Sequence, residues 1–491
     1  MSLADSALTA AEAASASYRK LEPERRAVLL ETIAEELLAL GDELLTVADG
    51  ETGLGLPRLT GERGRTVNQL RLFASLVREG SWVDARIDRA DPARQPPKPD
   101  LRRMLIPLGP VVVFAASNFP LAFSVAGGDT ASALAAGNPV VLKAHPAHPE
   151  TSQRVAAAVA RALARCELPA GVFTLVSGPG YELGLSLVRH PLAKAVAFTG
   201  SLAGGRALFD AAAARPEPIP VYAEMGSTNP VFVLPGALAE QGASIGRALG
   251  DSATLGTGQF CTKPGLVFAC AGPGFDALAQ ALGAQVAGKT PTKMLYPELA
   301  ERYRTGAEQL AQTPGVSELG QAPAGADAGL GRPLASQVDL SQFEQAPTLH
   351  GELFGPSTLL VRLASPADFV RVASSLEGQL TATVHGTTSD LSQAEPLVQE
   401  LERKVGRLIF GGVPTGVEVS TAMNHGGPYP ASTDARSTSV GSAAITRFAR
   451  PLCYQDAAQS LLPVELRDRN ARRIWRLIGN QLTRDDVNAS S

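Results

Sequence analysis

Three residue types suited to chemistry on a carbonyl group lie where apolar or glycine-rich stretches end: Cys261, Glu224 and Asn118. Cys261 lies in the stretch 255–265, whose three glycines and one proline exclude a regular helix or strand and predict a loop or a helix start. Lys263 and nearby backbone N–H groups would favour a thiolate over a thiol. By itself the stretch fits a nucleophile and an incidental cysteine equally well.

Asn118 follows the apolar run 111–116, and Glu224 ends the short run 221–223. A cysteine nucleophile, an amide donor and a carboxylate base suit acyl chemistry on a carbonyl carbon. Without further information, however, Asn118 is better expected as a turn residue before a proline, and Glu224 as a solvated strand end. The residue types therefore allow acyl chemistry without establishing it.

Composition limits the classes of protein that this chain can belong to. Its 491 residues are too many for one core, so two or three domains are expected. The net charge of −4 does not favour nucleic acid or an anionic membrane as a partner. Four scattered cysteines do not make a disulfide framework, and the N-terminus lacks the pattern of a signal peptide. With no apolar run near the length of a membrane span, a cytoplasmic location is expected.

The elements that must position these residues follow from the hydrophobic periodicity. Residues 5–50 and 66–79 are predicted as helices, and 82–87 and 101–106 as strands that flank a proline-rich surface loop or subunit contact. From residue 111 apolar strands alternate with alanine-rich helices up to residue 223, which predicts a parallel sheet covered on both faces. A second alternation begins at residue 231, with 317–334 expected as a surface loop and 445–480 as a packed tail.

The glycines of a dinucleotide-binding signature do not directly follow the first strand of this alternation. Gly178, Gly180 and Gly184 come after the third predicted strand instead. Such a spacing is equally expected of an ordinary turn between a strand and a helix.

Together with Phe198-Thr199-Gly200-Ser201 and Glu352-Leu353-Phe354-Gly355-Pro356, the three stretches resemble the NAD(P)-dependent aldehyde dehydrogenases over nearly the whole chain. The resemblance implies an α/β fold: a Rossmann-like parallel-sheet cofactor domain, an α/β catalytic domain and a small oligomerisation element. The implied boundaries are 1–81 with 107–228 for the cofactor domain, 229–425 for the catalytic domain, and 82–106 with 426–491 for the oligomerisation hairpin and tail. A homodimer or homotetramer is expected.

The resemblance assigns a role to each of the three candidate catalytic residues. Cys261 would attack the aldehyde carbon, and the Asn118 amide with the Cys261 backbone N–H would hold the oxyanion. Hydride loss to the nicotinamide would leave a thioester on Cys261. Glu224 would activate the water that hydrolyses it, and the interval of 37 residues between Glu224 and Cys261 (261 − 224) is close to the family's usual interval.

The resemblance also places the cofactor. Lys143 would reach the adenosine ribose, and Pro146 stands where many NAD-preferring relatives carry a glutamate, so NADP is favoured, with NAD as the alternative. His145 or Lys143 could contact a 2′-phosphate. The remaining cofactor-binding residues implied are Tyr181 at the adenine, Ser201 at the pyrophosphate, and Glu352 and Phe354 at the nicotinamide ribose.

No metal site is expected, because prolines prevent a helix across His145 and His148 and no further ligand completes a site.

Within the family the resemblance is to 2,5-dioxopentanoate (α-ketoglutaric semialdehyde) dehydrogenases, with long-chain aldehyde oxidation and non-redox ester or thioester hydrolysis as alternatives. Phe119, Phe123 and Phe260 would line an apolar entrance for the substrate. No arginine lies in 119–136, where some semialdehyde enzymes carry one. Arg436 could receive a substrate carboxylate, although a subunit or domain contact is the favoured interpretation.

Overall fold

The N-terminal region of the computed structural model, which describes residues 2–178 and 180–487, is helical. Met1, Pro179 and 488–491, which fall within the predicted domains, lie outside the described residues. A capping box between Ser2 and Asp5 starts the first helix, and a left-handed glycine ends the third and fourth. The four helices are α1 (Leu3–Tyr18), α2 (Pro23–Ala39), α3 (Gly41–Thr52) and α4 (Leu56–Glu79).

Two short strands, β1 (Arg86–Asp88) and β2 (Leu101–Pro107), form the hairpin that follows. The predicted strand from residue 82 is wrong in its first half, because residues 81–83 form a 3-10 turn. Asp84 has φ of 48°, a left-handed conformation that interrupts an extended chain.

The first sheet is the parallel one expected from the alternation after residue 111. Its strands lie in the order β5-β4-β3-β6-β7, all parallel, so the strand order reverses between β3 and β6. Ligands of open α/β sheets bind at the carboxyl ends of the strands beside such a reversal. The elements are β3 (Val111–Phe114), α5 (Gly128–Ala136), β4 (Val140–Lys143), α6 (Pro149–Arg165), β5 (Phe173–Val176), α7 (Glu182–Arg189), β6 (Ala195–Thr199), α8 (Leu202–Ala213) and β7 (Val221–Glu224).

The second sheet has seven strands in the order β11-β13-β14-β9-β8-β15-β16, parallel except at the edge strand β11. β10 and β12 of the same region form a separate two-stranded sheet. The elements of the region are β8 (Val231–Val233), α9 (Pro235–Thr254), β9 (Leu266–Cys270), α10 (Phe275–Ala287), β10 (Thr292–Lys293), α11 (Pro297–Gln312), β11 (Ser317–Gln321), β12 (Leu330–Gly331), β13 (Leu334–Asp339), α12 (Leu340–Gln345), β14 (Ser357–Leu363), α13 (Asp368–Ser375), β15 (Gln379–His385), α14 (Thr388–Leu391), α15 (Glu395–Glu402) and β16 (Val405–Phe410).

The region 317–334, predicted as a surface loop, contains two strands. β11 pairs with β13, and β12 pairs with β10. The backbone of Gly320 lies so close to that of Gly283 on α10 that a Cβ at residue 320 would be 2.2 Å from the Gly283 carbonyl oxygen. The partner strand and the closely packed helix come from tertiary structure, so local composition could not indicate them.

A third sheet joins the hairpin to the C-terminal tail. It contains β17 (Ala449–Gln455), β18 (Arg476–Ile478) and β19 (Gln481–Thr483) in the order β17-β2-β1-β18-β19. The tail thus packs on another element, as expected. Residues 426–448 do not join this sheet, and an isolated bridge pairs Ser432 with Glu224 at the end of β7.

Both large sheets are buried on two faces by apolar clusters, which confirms the α/β class. Over the ranges 2–178 and 180–487, none of the helices has the length and apolar character that crossing a membrane requires.

Candidate active site

Cys261 lies in a loop between α9 and β9, as predicted from its glycines. Gly256, Thr257 and Gly258 all have left-handed backbone conformations, with φ of 56°, 59° and 63°. A Cβ on Gly258 would be 2.2 Å from the carbonyl oxygen of Gly355, so no side chain fits there. The loop presents the half-buried thiol of Cys261 toward the interior.

The buried Asn229 side chain holds the far end of this loop. Its Nδ2 donates hydrogen bonds to the carbonyl oxygens of Cys261, at 2.8 Å, and Lys263, at 2.9 Å. Since Asn229 precedes β8 of the second sheet, the position of the thiol is tied to that sheet.

The thiol belongs to a buried cluster with a histidine and a carboxylate. The Sγ of Cys261 lies 3.4 Å from Nε2 of His425, and the same Nε2 lies 2.9 Å from Oε1 of Glu224. Ser439 donates from its hydroxyl to the other oxygen of Glu224, at 2.6 Å. Glu224 is brought in as the last residue of β7, while the backbone N–H of His425 donates to Thr438 Oγ1 at 2.7 Å.

The electrostatics of the cluster keep the carboxylate charged and the thiol neutral. Burial raises the pKa of Glu224, but the His425 contact and the hydrogen bonds outweigh it, so this pKa is lowered overall. Burial, followed by the charge of Glu224, raises the pKa of Cys261 well above its usual value. The resting enzyme therefore holds Cys261 as a thiol at neutral pH.

The expectation that Lys263 favours a thiolate is wrong. Its ammonium group is fully buried on the other side of the loop, where it donates to the carbonyl oxygens of Leu353, at 3.1 Å, and Ser357, at 2.8 Å. Burial lowers its pKa, and Glu352 is the carboxylate with which it interacts. Lys263 is only two residues from Cys261 in the sequence, but its ammonium group binds these two carbonyl oxygens and not the sulfur.

The third candidate catalytic residue, Asn118, lies beside the same loop. Its side-chain Nδ2 donates to the Gln259 carbonyl oxygen at 3.0 Å. Its backbone carbonyl oxygen accepts from Nη2 of Arg58 at 2.5 Å. The structure thus brings Cys261, Glu224 and Asn118 to one region, and their catalytic roles stay predictions.

His425 and Ser439 were missed as site residues in the sequence. They lie in a stretch rich in glycine and proline, 201 and 215 residues along the chain from the Glu224 that they contact. The only local signal was a histidine in a turn-rich segment, which by itself does not indicate a partner.

The ligand atoms of Glu224, Cys261 and His425 all lie within 4.8 Å of one another, so this cluster could hold a metal ion. This cluster differs from the pair of histidines apparent in the sequence, His145 and His148, whose rings stack with centroids 5.7 Å apart. The expectation of no metal therefore stays a prediction.

Residues suited to a nicotinamide cofactor lie at the carboxyl ends of the first sheet, beside the strand reversal. Lys143 ends β4, and Ser201 starts α8 with its hydroxyl accepting from the backbone N–H of Gly204 at 3.2 Å. The Thr199 hydroxyl at the end of β6 is buried and lacks a hydrogen-bond partner. A polar group without a partner at this edge fits a bound polar ligand. Tyr181, just before α7, is 91% exposed and open to such a ligand.

His145 does not carry a positive charge that could bind a phosphate. Burial and then the nearby charges of His148 and Lys143 lower the pKa of His145 to about 3. Its imidazole is neutral at physiological pH, so any contact with a 2′-phosphate would be a hydrogen bond without a charge.

Glu352 and Phe354 lie in the segment before β14, and Glu352 is close to the chain that follows β7. A Cβ on Gly226 would be 2.8 Å from Oε2 of Glu352, so this glycine, two residues after Glu224, leaves room for the carboxylate. Burial raises the pKa of Glu352. Phe354 packs against an apolar cluster that includes Tyr303, as expected of a core residue as well as of a ribose contact.

The three predicted entrance residues do come together. The Phe119 ring lies 5.4 Å from that of Phe123 and 5.5 Å from that of Phe260, both edge to face. The Arg58 guanidinium lies over Phe119 at 4.9 Å and over Phe260 at 4.6 Å. The three rings and the Arg58 guanidinium thus form one cluster, with the cation against Phe119 and Phe260.

Comparison with known proteins agrees with this geometry. The model of the Aldehyde dehydrogenase family matches residues 2–448. An α-ketoglutaric semialdehyde dehydrogenase 2 from Azospirillum brasilense is 52% identical over 463 residues, 94% of this chain and 88% of that protein. An α-ketoglutaric semialdehyde dehydrogenase from Acinetobacter baylyi is 46% identical over 98% of this chain and 91% of that protein.

Among solved structures, a glyceraldehyde-3-phosphate dehydrogenase from Methanocaldococcus jannaschii complexed with NADP superposes with a TM-score of 0.78 at 19% identity. The match covers 92% of this chain and 93% of that one, which shows a shared fold. The chain therefore belongs to the aldehyde dehydrogenase family, whose members oxidise aldehydes with a nicotinamide cofactor.

Proposed function

We propose that this enzyme oxidises 2,5-dioxopentanoate to 2-oxoglutarate through a thioester on Cys261. The observation that carries the chemistry is the contact of one thiol with His425, and of His425 with an ionised Glu224. The substrate rests on the two relatives described as α-ketoglutaric semialdehyde dehydrogenases, each matching over most of its length.

The first half of the reaction needs a thiolate from a thiol of raised pKa. Sγ would lose its proton to water as it attacks the aldehyde carbon, because Nε2 of His425 already carries the hydrogen that bonds the ionised Glu224. The developing oxyanion would be held by the Asn118 amide and the backbone N–H of Cys261, each worth a few kcal/mol. Bound nicotinamide would supply the hydride acceptor, which leaves an acyl group on the sulfur.

The second half is hydrolysis of the acyl group. Glu224 is ionised in spite of its burial, and can accept the proton of a water that attacks the thioester. Glu224 would then pass this proton to the departing sulfur. Aldehyde, water and oxidised cofactor thus give acid, reduced cofactor and one proton.

For the cofactor, NADP is proposed over NAD. Pro146 is exposed where an acid would repel a 2′-phosphate, and Lys143 lies at the end of the neighbouring strand. Because His145 is neutral, Lys143 is the cation that this proposal needs.

The oligomeric state, the location in the cell and the domain boundaries are further proposals. The third sheet would form the subunit interface of a homodimer or homotetramer, and the enzyme would act in the cytoplasm, where its four free cysteines would stay reduced. The proposed domain boundary at 228 would fall between the two large sheets, and that at 425 after the last strand of the second sheet.

A panel of aldehydes with each cofactor tests the function. The enzyme is expected to reduce NADP fastest with 2,5-dioxopentanoate, more slowly with pentanal and more slowly still with dodecanal. Cys261→Ala should abolish this activity while far-UV circular dichroism stays unchanged. Faster turnover of dodecanal would favour the long-chain alternative, and ester hydrolysis without any cofactor reduction would favour the hydrolase.

A further inference from the structure

Three half-buried arginines hold segments that flank the Cys261 loop: Arg58 and Arg65 on α4, and Arg407 on β16. Within 2–178 and 180–487, none of the three forms an ion pair with a carboxylate within 4.0 Å. Each has at least one buried guanidinium nitrogen without a hydrogen-bond partner: Nε and Nη1 of Arg58, and Nε of Arg65 and of Arg407. Burying a charged group without a partner is costly, so this arrangement points to an anionic ligand.

Arg65 and Arg407 are held against the same short segment of chain. Arg65 donates to the carbonyl oxygen of Val417, and Arg407 donates to those of Pro414, at 2.8 Å, and Gly416, at 3.0 Å. Backbone carbonyls thus fix one edge of each guanidinium without neutralising its charge. The Nε atoms are left to bind a second group.

Arg58 is already committed to other contacts. It donates to the Asn118 carbonyl and lies between the rings of Phe119 and Phe260. The buried Glu62 lies between Arg58 and Arg65 on α4, and its Oε1 accepts the backbone N–H groups of Leu121, at 2.7 Å, and Ala122, at 2.9 Å. One carboxylate cannot neutralise both arginines, so a positive charge remains at this face.

The segment 414–417 that holds both arginines lies beside Cys261, since the Gly416 N–H donates to Thr262 Oγ1 at 3.3 Å and the Thr415 hydroxyl donates to the Thr262 carbonyl at 3.4 Å. Burial lowers the pKa of all three arginines, and attraction to the thiolate form of Cys261 opposes the shift in each. For Arg65 that interaction with Cys261 is larger than those with its acidic neighbours, which are Glu62, Glu418 and Glu224. An anion bound between Arg65 and Arg407 would therefore lie close to Cys261.

We propose that Arg65 and Arg407 form the subsite that holds the C1 carboxylate of 2,5-dioxopentanoate while its aldehyde carbon lies at Cys261. The inference rests on the proposed function and names the residues that select its substrate. Guanidinium groups suit planar carboxylates because their donors match both oxygens. Helix α4 and strand β16 would thus supply what the stretch 119–136 lacks. Arg436, the other candidate, is 92% exposed and pairs with Asp434.

The test compares two aldehydes of equal chain length, 2,5-dioxopentanoate and pentanal, in Arg65→Met and Arg407→Met. Methionine is unbranched and apolar, so it can fill the space beside Phe123 that Arg65 occupies, and at either position it cannot bind a carboxylate. The ratio of kcat/KM for the two aldehydes is expected to fall at least about tenfold in each variant. The ratio removes any effect of the arginine charge on thiol reactivity, which both aldehydes share.

Arg71→Met is the matched control, since Arg71 is an exposed residue of the same helix, and its ratio should equal that of the wild type. Pentanal oxidation reports in each variant that the protein is folded. A ratio within about twofold of wild type in both variants would overturn the subsite. The substrate proposal fails separately, if the wild type oxidises pentanal but not 2,5-dioxopentanoate.

Discussion

At the scale of single residues, the candidate active site is a hydrogen-bonded cluster around a protonated thiol. The Cys261 thiol, the His425 imidazole and the Glu224 carboxylate are in contact in that order. The negative charge of Glu224 raises the pKa of Cys261, while His425 and Ser439 lower that of Glu224. Thiolate formation must therefore accompany substrate binding or attack, and is not present beforehand.

Glu224→Gln should have opposite effects on the thiol and on turnover. Loss of the charge lowers the pKa of Cys261, so alkylation by iodoacetamide at pH 8 should become about tenfold faster. Loss of the base should leave a burst of reduced cofactor followed by turnover slowed about a hundredfold. Mass spectrometry of the Cys261 peptide and rapid-mixing absorbance measure the two effects.

In the wild type, alkylation of Cys261 should also rise about tenfold per pH unit from pH 7 upward, because its raised pKa keeps the thiol protonated there. Alkylation that is already independent of pH at pH 7 would contradict the thiol assignment. Equal loss of burst and steady state in Glu224→Gln would indicate a positioning role for Glu224.

Pro146→Glu should shift the cofactor preference toward NAD. A carboxylate beside Lys143 offers an acceptor to the ribose diol and opposes a 2′-phosphate. The change in the ratio of kcat/KM for NAD and NADP should approach tenfold, about 1.4 kcal/mol. A wild type that prefers NAD and does not respond to this substitution would place the discrimination elsewhere, such as at Tyr181.

At the scale of elements, the loop that ends α9 decides where the thiol points. Its left-handed residues turn the chain sharply, and Gly258 lies against the backbone of Gly355 and Pro356. The loop thus links the nucleophile to the segment that carries Glu352 and Phe354, so a change in one segment should displace the other.

Gly258→Ala should cost both stability and activity, because its Cβ would overlap backbone that cannot move aside. Overpacking of this kind costs about 3 kcal/mol or more. Gly41→Ala is the control, since Gly41 has a similar φ of 61° with nothing within 4 Å, and should cost about 1 kcal/mol of strain. Urea unfolding and dehydrogenase rates measure the difference, and equal costs would argue against a rigid loop.

At the scale of the whole molecule, the active site is assembled from segments far apart in the chain. The first sheet contributes Glu224, the loop before β9 contributes Cys261, and the segment after β16 contributes His425.

The third sheet contributes none of these three residues, and its edge strand β19 exposes Leu482, at 66%. An unpaired strand edge with apolar side chains is suited to pairing with a second copy.

Leu482→Glu should therefore weaken self-association. The wild type is expected to have a native mass of two or four times the 51.0 kDa of one chain, and the variant a lower mass at the same concentration. Light scattering after size exclusion measures both. A wild type of 51.0 kDa would contradict the oligomer.

The sequence by itself determined the parallel sheets and most of their strands, because buried strands such as Val111–Phe114 and Val140–Lys143 are continuous apolar runs. It also indicated Cys261 on a loop and Glu224 at a strand end, since glycine and strand patterns are local. Tertiary structure alone decided that His425 contacts both, that Lys263 binds the Leu353 and Ser357 carbonyls, and that arginines from α4 and β16 hold a segment beside the Cys261 loop. These depend on side-chain direction and on contacts between residues distant in sequence, which local patterns do not contain.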